Sequence, residues 1–255
     1  LIWEQHEVEL DLLPLPRAAD ATILAQWVVR NLARQQGLQC SMEPIVGAGH
    51  AGNGLHFHFA FAEGGRHKAV LDDDGRMREP ARWLTAGVTQ MAGALMAFGN
   101  RSATSFMRLD QGKESPTRLE WGRSDRRSLV RVPLMPAGLA SDAVAPTVEF
   151  RLPDGSAHPH LLLAGAAQAM VRGRESEGID LPAAVSAVRL PRNRSEIADA
   201  LERHREPLER AGVFPSTLID ALADRLRSAA LEARSWTGTN GEQLIAERPV
   251  RGERT

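Results

Sequence analysis

Residues 47–61 read GAGHAGNGLHFHFAF, and the second half of that run decides the fold class. Leu55, Phe57, Phe59 and Phe61 alternate with His56, His58 and Ala60. This is the period of a strand, with one greasy face and one face carrying two imidazoles roughly 7 Å apart. The glycines at 47, 49, 52 and 54 make the preceding loop one whose backbone can come close to a ligand.

Working outward, Pro80 is placed to open a helix, and Ala81 to Phe98 reads as one long buried helix closed by Gly99. Residues 100–118 read as a polar loop. Two further strands follow, SLVRV (128–132) and TVEFRL (147–152), and each sets charge between apolar residues. Arg131 stands alone in the first; Glu149 and Arg151 share a face in the second. Helices are expected at 159–173, 195–204 and 216–233, with a loose polar tail over 236–255.

Upstream, EVELDLL (7–13) has strand alternation with an acidic face, and 38–46 reads as another strand. Between them, Asp20 can cap a core helix with apolar positions Ile23, Leu24, Trp27, Val28 and Leu32, stopped by Gly37. Strands and helices in this order predict an α+β chain, one domain over 1–255, with a sheet packed against helices.

Composition narrows the function. Lys and Arg number 31 against 32 Asp and Glu, so there is no cationic excess for a nucleic-acid backbone. No apolar run reaches the roughly 20 residues of a membrane span, and the one cysteine, Cys40, fits a reducing compartment, so the cytoplasm is expected.

Glu7, His56, His58, Arg131, Glu149 and Arg151 are thus expected on strand faces of one sheet. Inward charges are costly unless paired or metal-bound. Carboxylates with an imidazole suit a divalent ion such as Mg2+ or Mn2+, and neighbouring arginines suit phosphate or carboxylate. Together they are equipment for phosphoryl transfer.

Three segments resemble the glutamine synthetase family. GNGLHFHF is similar to its N-G-S-G-M-H-x-H, NRSATSFMRLDQGKESP (100–116) to its N-P-x-x-N-S-Y-K-R-L-x-P-G-x-E-A-P, and VEFRLPDGSAHPHL (148–161) to its V-E-x-R-x-P-D-x-x-A-N-P-Y-L. The resemblance runs over about 4–233. It implies the family's catalytic domain, a curved and mostly antiparallel sheet packed with helices, without the small N-terminal β-grasp domain. It also implies an ATP-dependent ligase joining glutamate to ammonia or an amine through a γ-glutamyl phosphate.

Carried over by position, the resemblance makes Glu7 a ligand of a first metal ion, and His56 and Glu149 ligands of a second. His58, Arg126 and Arg131 fall on ATP-binding positions. Gly52, Arg108 and Arg151 fall on substrate-binding ones, and Arg126 and Arg151 also on catalytic ones that stabilise the transferring phosphoryl group. Glu114 falls on the glutamate of a closing loop that takes a proton from the attacking ammonium. The resemblance further implies a ring of subunits, a dodecamer.

The departures are Ala51 for asparagine, Ala60 for a nucleotide-side serine and Thr147 for an arginine. They leave room for a larger amine, such as a polyamine or ethanolamine, and for a non-catalytic binding or assembly relative. The tyrosine that some bacterial members adenylylate falls on Ile179, and the chain has no tyrosine. A guanidino kinase needs arginines and cysteine in another arrangement. His158 and His160 read as packing and capping residues.

Overall fold

The computed structural model describes residues 4–47, 49–134, 145–176 and 189–236. The expectations for Ile179 and for the tail beyond 236 lie outside them. Helix α1 spans Leu15–Gln35, strands β1, β2 and β3 span Phe57–Phe59, Ala62–Glu63 and Arg66–His67, and helices α2, α3 and α4 span Ala81–Gln90, Ala92–Gly99 and Thr104–Gln111. Strands β4, β5 and β6 span Arg118–Arg123, Ser128–Val132 and Val148–Phe150. Helices α5, α6, α7 and α8 then span Pro159–Glu175, Arg194–Arg203, Arg205–Glu209 and Ser216–Trp236.

A four-stranded sheet runs in the order β1-β6-β5-β4. β6 is antiparallel to both neighbours, and β4 lies parallel to β5. Register sets Phe57 and Val130 on either side of Phe150, and this apolar face joins α2, α3 and α5 in one core. The opposite face carries His58, Glu149 and Arg131 in one row across three strands, because strand side chains alternate. α3 is buried along its whole length, as expected of a helix with no polar face.

Several sequence expectations change. The stretch 7–13 forms no strand, since a ladder needs a hydrogen-bonding neighbour and no described strand pairs with it. Likewise 38–46 is irregular, its carbonyls at Glu43 and Pro44 accepting from Asn53. α1 begins at Leu15, behind Pro14 and with Pro16 in its first turn, so Asp20 lies inside the helix and does not cap it. Gly37 does adopt the left-handed conformation of a helix stop, at φ +71°.

The core face of α1 is also not the expected one. Ala18, Ala19 and Thr22 face the interior, where small side chains let α1 approach α5, and Trp27 is 61% exposed. Eleven of the fifteen large apolar side chains exposed among the described residues lie between Val8 and Leu38, so the apolar surface is concentrated at this end.

The helix expected over 81–98 is two, broken at Met91, and Pro80 caps α2 from outside. The loop expected over 100–118 contains α4, whose Phe106 and Leu109 pack on the core and whose end at Gly112 takes φ +63°. β4 was not expected at all. No described helix is long and apolar enough to cross a membrane.

Candidate active site

The site grows from Glu149, at 1% exposure, in the middle of β6. Arg151 Nη1 donates to its Oε1 at 2.6 Å, and His56 Nδ1 lies 3.0 Å from the same oxygen. Arg131, in register on β5, meets Oε2 through Nε. That contact lacks hydrogen-bond alignment, so Glu149 Oε2 and Arg131 Nε are solvent-inaccessible atoms without an aligned partner. His58 stands 4.0 Å from Oε1 and pairs through Nδ1 with Thr147 Oγ1 at 3.0 Å. The strand alternation thus brings together the two histidines, Glu149, Arg131 and Arg151.

Arg108, on α4, lies beneath this row at 1% exposure. It donates to the carbonyls of Leu152 (3.0 Å) and Arg151 (3.3 Å), and Nη2 approaches His56 Nε2 at 3.4 Å. A guanidinium can only donate, so His56 Nε2 accepts and the ring proton sits on Nδ1, facing Glu149. Among the described residues Arg108 Nε has no partner. Its neighbours must be glycines: a Cβ on Gly52 would lie 2.8 Å from Arg108 Cγ, and one on Gly54 2.3 Å from His56 Nε2.

Glu114 occupies the turn after α4 with φ +54°. Its carbonyl accepts from Arg151 Nη2 and its carboxylate from Arg126 Nη1, both at 3.2 Å. Sequence reading missed the layer below: buried Asp154 accepts from Asn100 Nδ2 at 2.9 Å and from Ser156 Oγ at 2.5 Å, and its charge acts on Arg108. PDG reads simply as a turn, and no spacing signal marks Asp154 as a buried acceptor. His158 caps α5 and His160 bonds Asp20 at 2.8 Å, which are the packing and capping roles expected of them.

Burial alone pushes the Glu149 carboxyl up, but the His56 hydrogen bond and the charges of Arg151, His56 and Arg131 outweigh it and hold the group at about 2. Burial, with the charges of Arg151 and Arg108, pushes His56 below its ordinary value against the pull of Glu149, so the pair rests as neutral imidazole and carboxylate. Burial likewise draws Arg108 down to about 10.

A carboxylate depressed in the fold stabilises it above the unfolded value of 4.5 and loses that contribution as pH falls towards 2. Between pH 5 and pH 3 the wild-type chain is expected to lose roughly 2 kcal/mol more unfolding free energy than Glu149→Gln. Urea titrations at the two pH values measure this. Equal losses in both proteins would refute the assignment.

The donor set suits a divalent ion in part. Glu149 offers an oxygen with an unused lone pair beside an imidazole, but no described group of three His, Cys, Asp or Glu side chains converges. Glu7 is exposed on the irregular stretch after Gln5, whose Nε2 donates to Asn53 Oδ1 at 2.8 Å. That stretch therefore runs beside the glycine-rich loop, and no described contact joins Glu7 to Glu149.

The sequence profile of the glutamine synthetase catalytic domain matches residues 3–233. A glutamine synthetase of Streptomyces filamentosus is 30% identical over 238 residues, 88% of this chain and 50% of the relative. One of Methylococcus capsulatus is 30% identical over 233 residues, 86% and 48% of the two chains. The cryo-EM structure of Plasmodium falciparum glutamine synthetase superposes with a TM-score of 0.73 at 17% identity, over 91% of this chain and 54% of that one. The chain spans about half the length of the curated relatives it matches.

Proposed function

Because this chain belongs to the glutamine synthetase catalytic-domain family, we propose that its Glu149 cluster serves an ATP-dependent ligase that joins glutamate to ammonia or a small amine. The observation that carries the reading is the row of His58, Glu149 and Arg131 across three strands, flanked by His56 and Arg151. It sets one carboxylate between two guanidiniums, Arg131 and Arg151, and the excess positive charge suits an anion.

His56 and Glu149 would hold one Mg2+ or Mn2+ and Glu7 another, and such ions when bound would neutralise charge on ATP. Arg126, Arg131 and His58 bind the nucleotide's phosphates. Ala60 lines an open hollow of about 500 Å³ whose wall mixes Phe61, Pro80, Trp83 and Met170 with the charged Glu63, Lys68 and Glu79, and the reading assigns it to the nucleotide's base. Gly52 and Arg108 hold the amino-acid substrate. Arg108 Nε, buried and unpartnered, supports a role in binding a carboxylate.

In the first step the side-chain carboxylate of glutamate attacks the γ-phosphorus of ATP, giving γ-glutamyl phosphate and ADP, and Arg151 stabilises the moving phosphoryl group. In the second step the amine nitrogen attacks the acyl carbon, phosphate leaves, and Glu114 takes the nitrogen's proton. An acyl phosphate is labile to water, so a closed turn at Glu114 favours amide over hydrolysis. The reading includes a cytoplasmic, ring-shaped homo-oligomer.

The test is phosphate release from ATP with glutamate, Mg2+ or Mn2+, and a panel running from ammonia through ethanolamine to a polyamine. Release that depends on one amine, and that Arg126→Ala lowers roughly a hundredfold, is the expected result. No release with any amine from a protein that still assembles would favour a non-catalytic assembly module.

A further inference from the structure

We propose that Lys113 is a positioning residue that fastens the turn bearing Glu114 to the glycine-rich loop, so that the two cover Arg108 as one unit. Lys113 Nζ donates to the carbonyl of Gly49 at 2.8 Å, across 64 residues of sequence. Among the described residues it is the one hydrogen bond between the turn 112–115 and residues 49–54. The family pattern leaves this position open.

The turn holds one residue in a conformation that needs support, while the glycines beside it take theirs at no steric cost. Gly112 and Gly49 lie at φ +63° and +80°, and Glu114, with a side chain, at +54°. A non-glycine residue in that region persists only where its surroundings over-determine it. Arg151 and Arg126 hold Glu114 from the sheet side, and Ser115 Oγ bonds the carbonyl of Arg108 at 2.9 Å. Gly52 and Gly54 press on the Arg108 side chain from the other loop. Arg108 is thus enclosed by two loops, and Lys113 joins them.

The consequence, which rests on the ligase reading, is that a carboxylate reaches Arg108 only when both loops part. Lys113 then sets the balance between admitting substrate and excluding water.

Amide hydrogen exchange of the intact chain tests the coupling. Lys113→Met is expected to raise exchange about three- to tenfold in 112–115 and in 49–54 together, leaving α3 and α5 unchanged, since one such bond contributes a modest free energy. Lys113→Arg, which keeps the charge and the donor, should return both loops to within about twofold of wild type by the same argument. Gly49→Ala, which meets no atom but disfavours the acceptor's backbone angle, should open the same pair. Unchanged exchange in Lys113→Met, or a rise confined to one loop, would overturn the proposal. Exchange needs no turnover, so a chain that opens as expected yet hydrolyses no ATP defeats the ligase reading and leaves the latch standing.

Discussion

Glu149→Ala is expected to lower the unfolding free energy by about 3–5 kcal/mol, as is usual when one partner of a buried charge network is removed. The loss comes less from the missing bonds than from what remains. Arg151, 3% exposed in its side chain, would keep its charge with no carboxylate in contact, and Arg131 and His56 would lose their only acidic contact among the described residues. Glu149→Gln keeps the volume and an acceptor and should lie between alanine and wild type. Denaturant titration at pH 7 measures all three. A loss below about 1 kcal/mol for alanine would mean that the arginines relax into solvent and that the cluster is no closed network.

The second large effect belongs to the helix pair beneath the sheet. A Cβ on Gly87 would sit 1.7 Å from the carbonyl oxygen of Ala169, and one on Gly173 1.9 Å from that of Trp83. α2 and α5 therefore cross with backbone against backbone, and neither side has a flexible tip that could yield. Gly87→Ala should cost about 3 kcal/mol, the upper end for overpacking, even though alanine is intrinsically the better helix former by about 1 kcal/mol. Gly93→Ala is the milder comparison: its nearest contacts, the side chains of Ala200 and Pro191, stand at 3.1–3.2 Å and must give by only a few tenths of an ångström, so it should cost clearly less than Gly87→Ala. If both variants unfold at the same denaturant concentration as wild type, the helices are not in the contact described.

The polar face of the sheet was legible because alternation is a local signal. His56, His58, Arg131, Glu149 and Arg151 each stand one residue from a large apolar neighbour, and β5 has the bounds its sequence suggests. The helices at 159–175, 194–203 and 216–236 were legible for the same reason at a different period.

What failed depends on partners. EVELDLL alternates correctly, but a ladder is a property of two segments, and none of the described strands lies beside it. Trp27 and Leu24 look like core on any hydropathy argument, whereas the face that packs is the inconspicuous Ala18, Ala19 and Thr22. α4 was hidden by the polar residues around Phe106 and Leu109. Asp154 and Asn100 were hidden because hydrogen bonds between a turn and a helix end carry no periodicity.

The row of His58, Glu149 and Arg131 also bears on how the chain finds its fold. Its members come from segments up to 91 residues apart, so the row is a long-range product that follows loop closure. A one-residue slip of β6 would turn Glu149 towards Phe57 and Val130 and bring Phe150 against His58 and Arg131. The same charges therefore penalise pairings shifted by an odd number of residues, before any ligand is present.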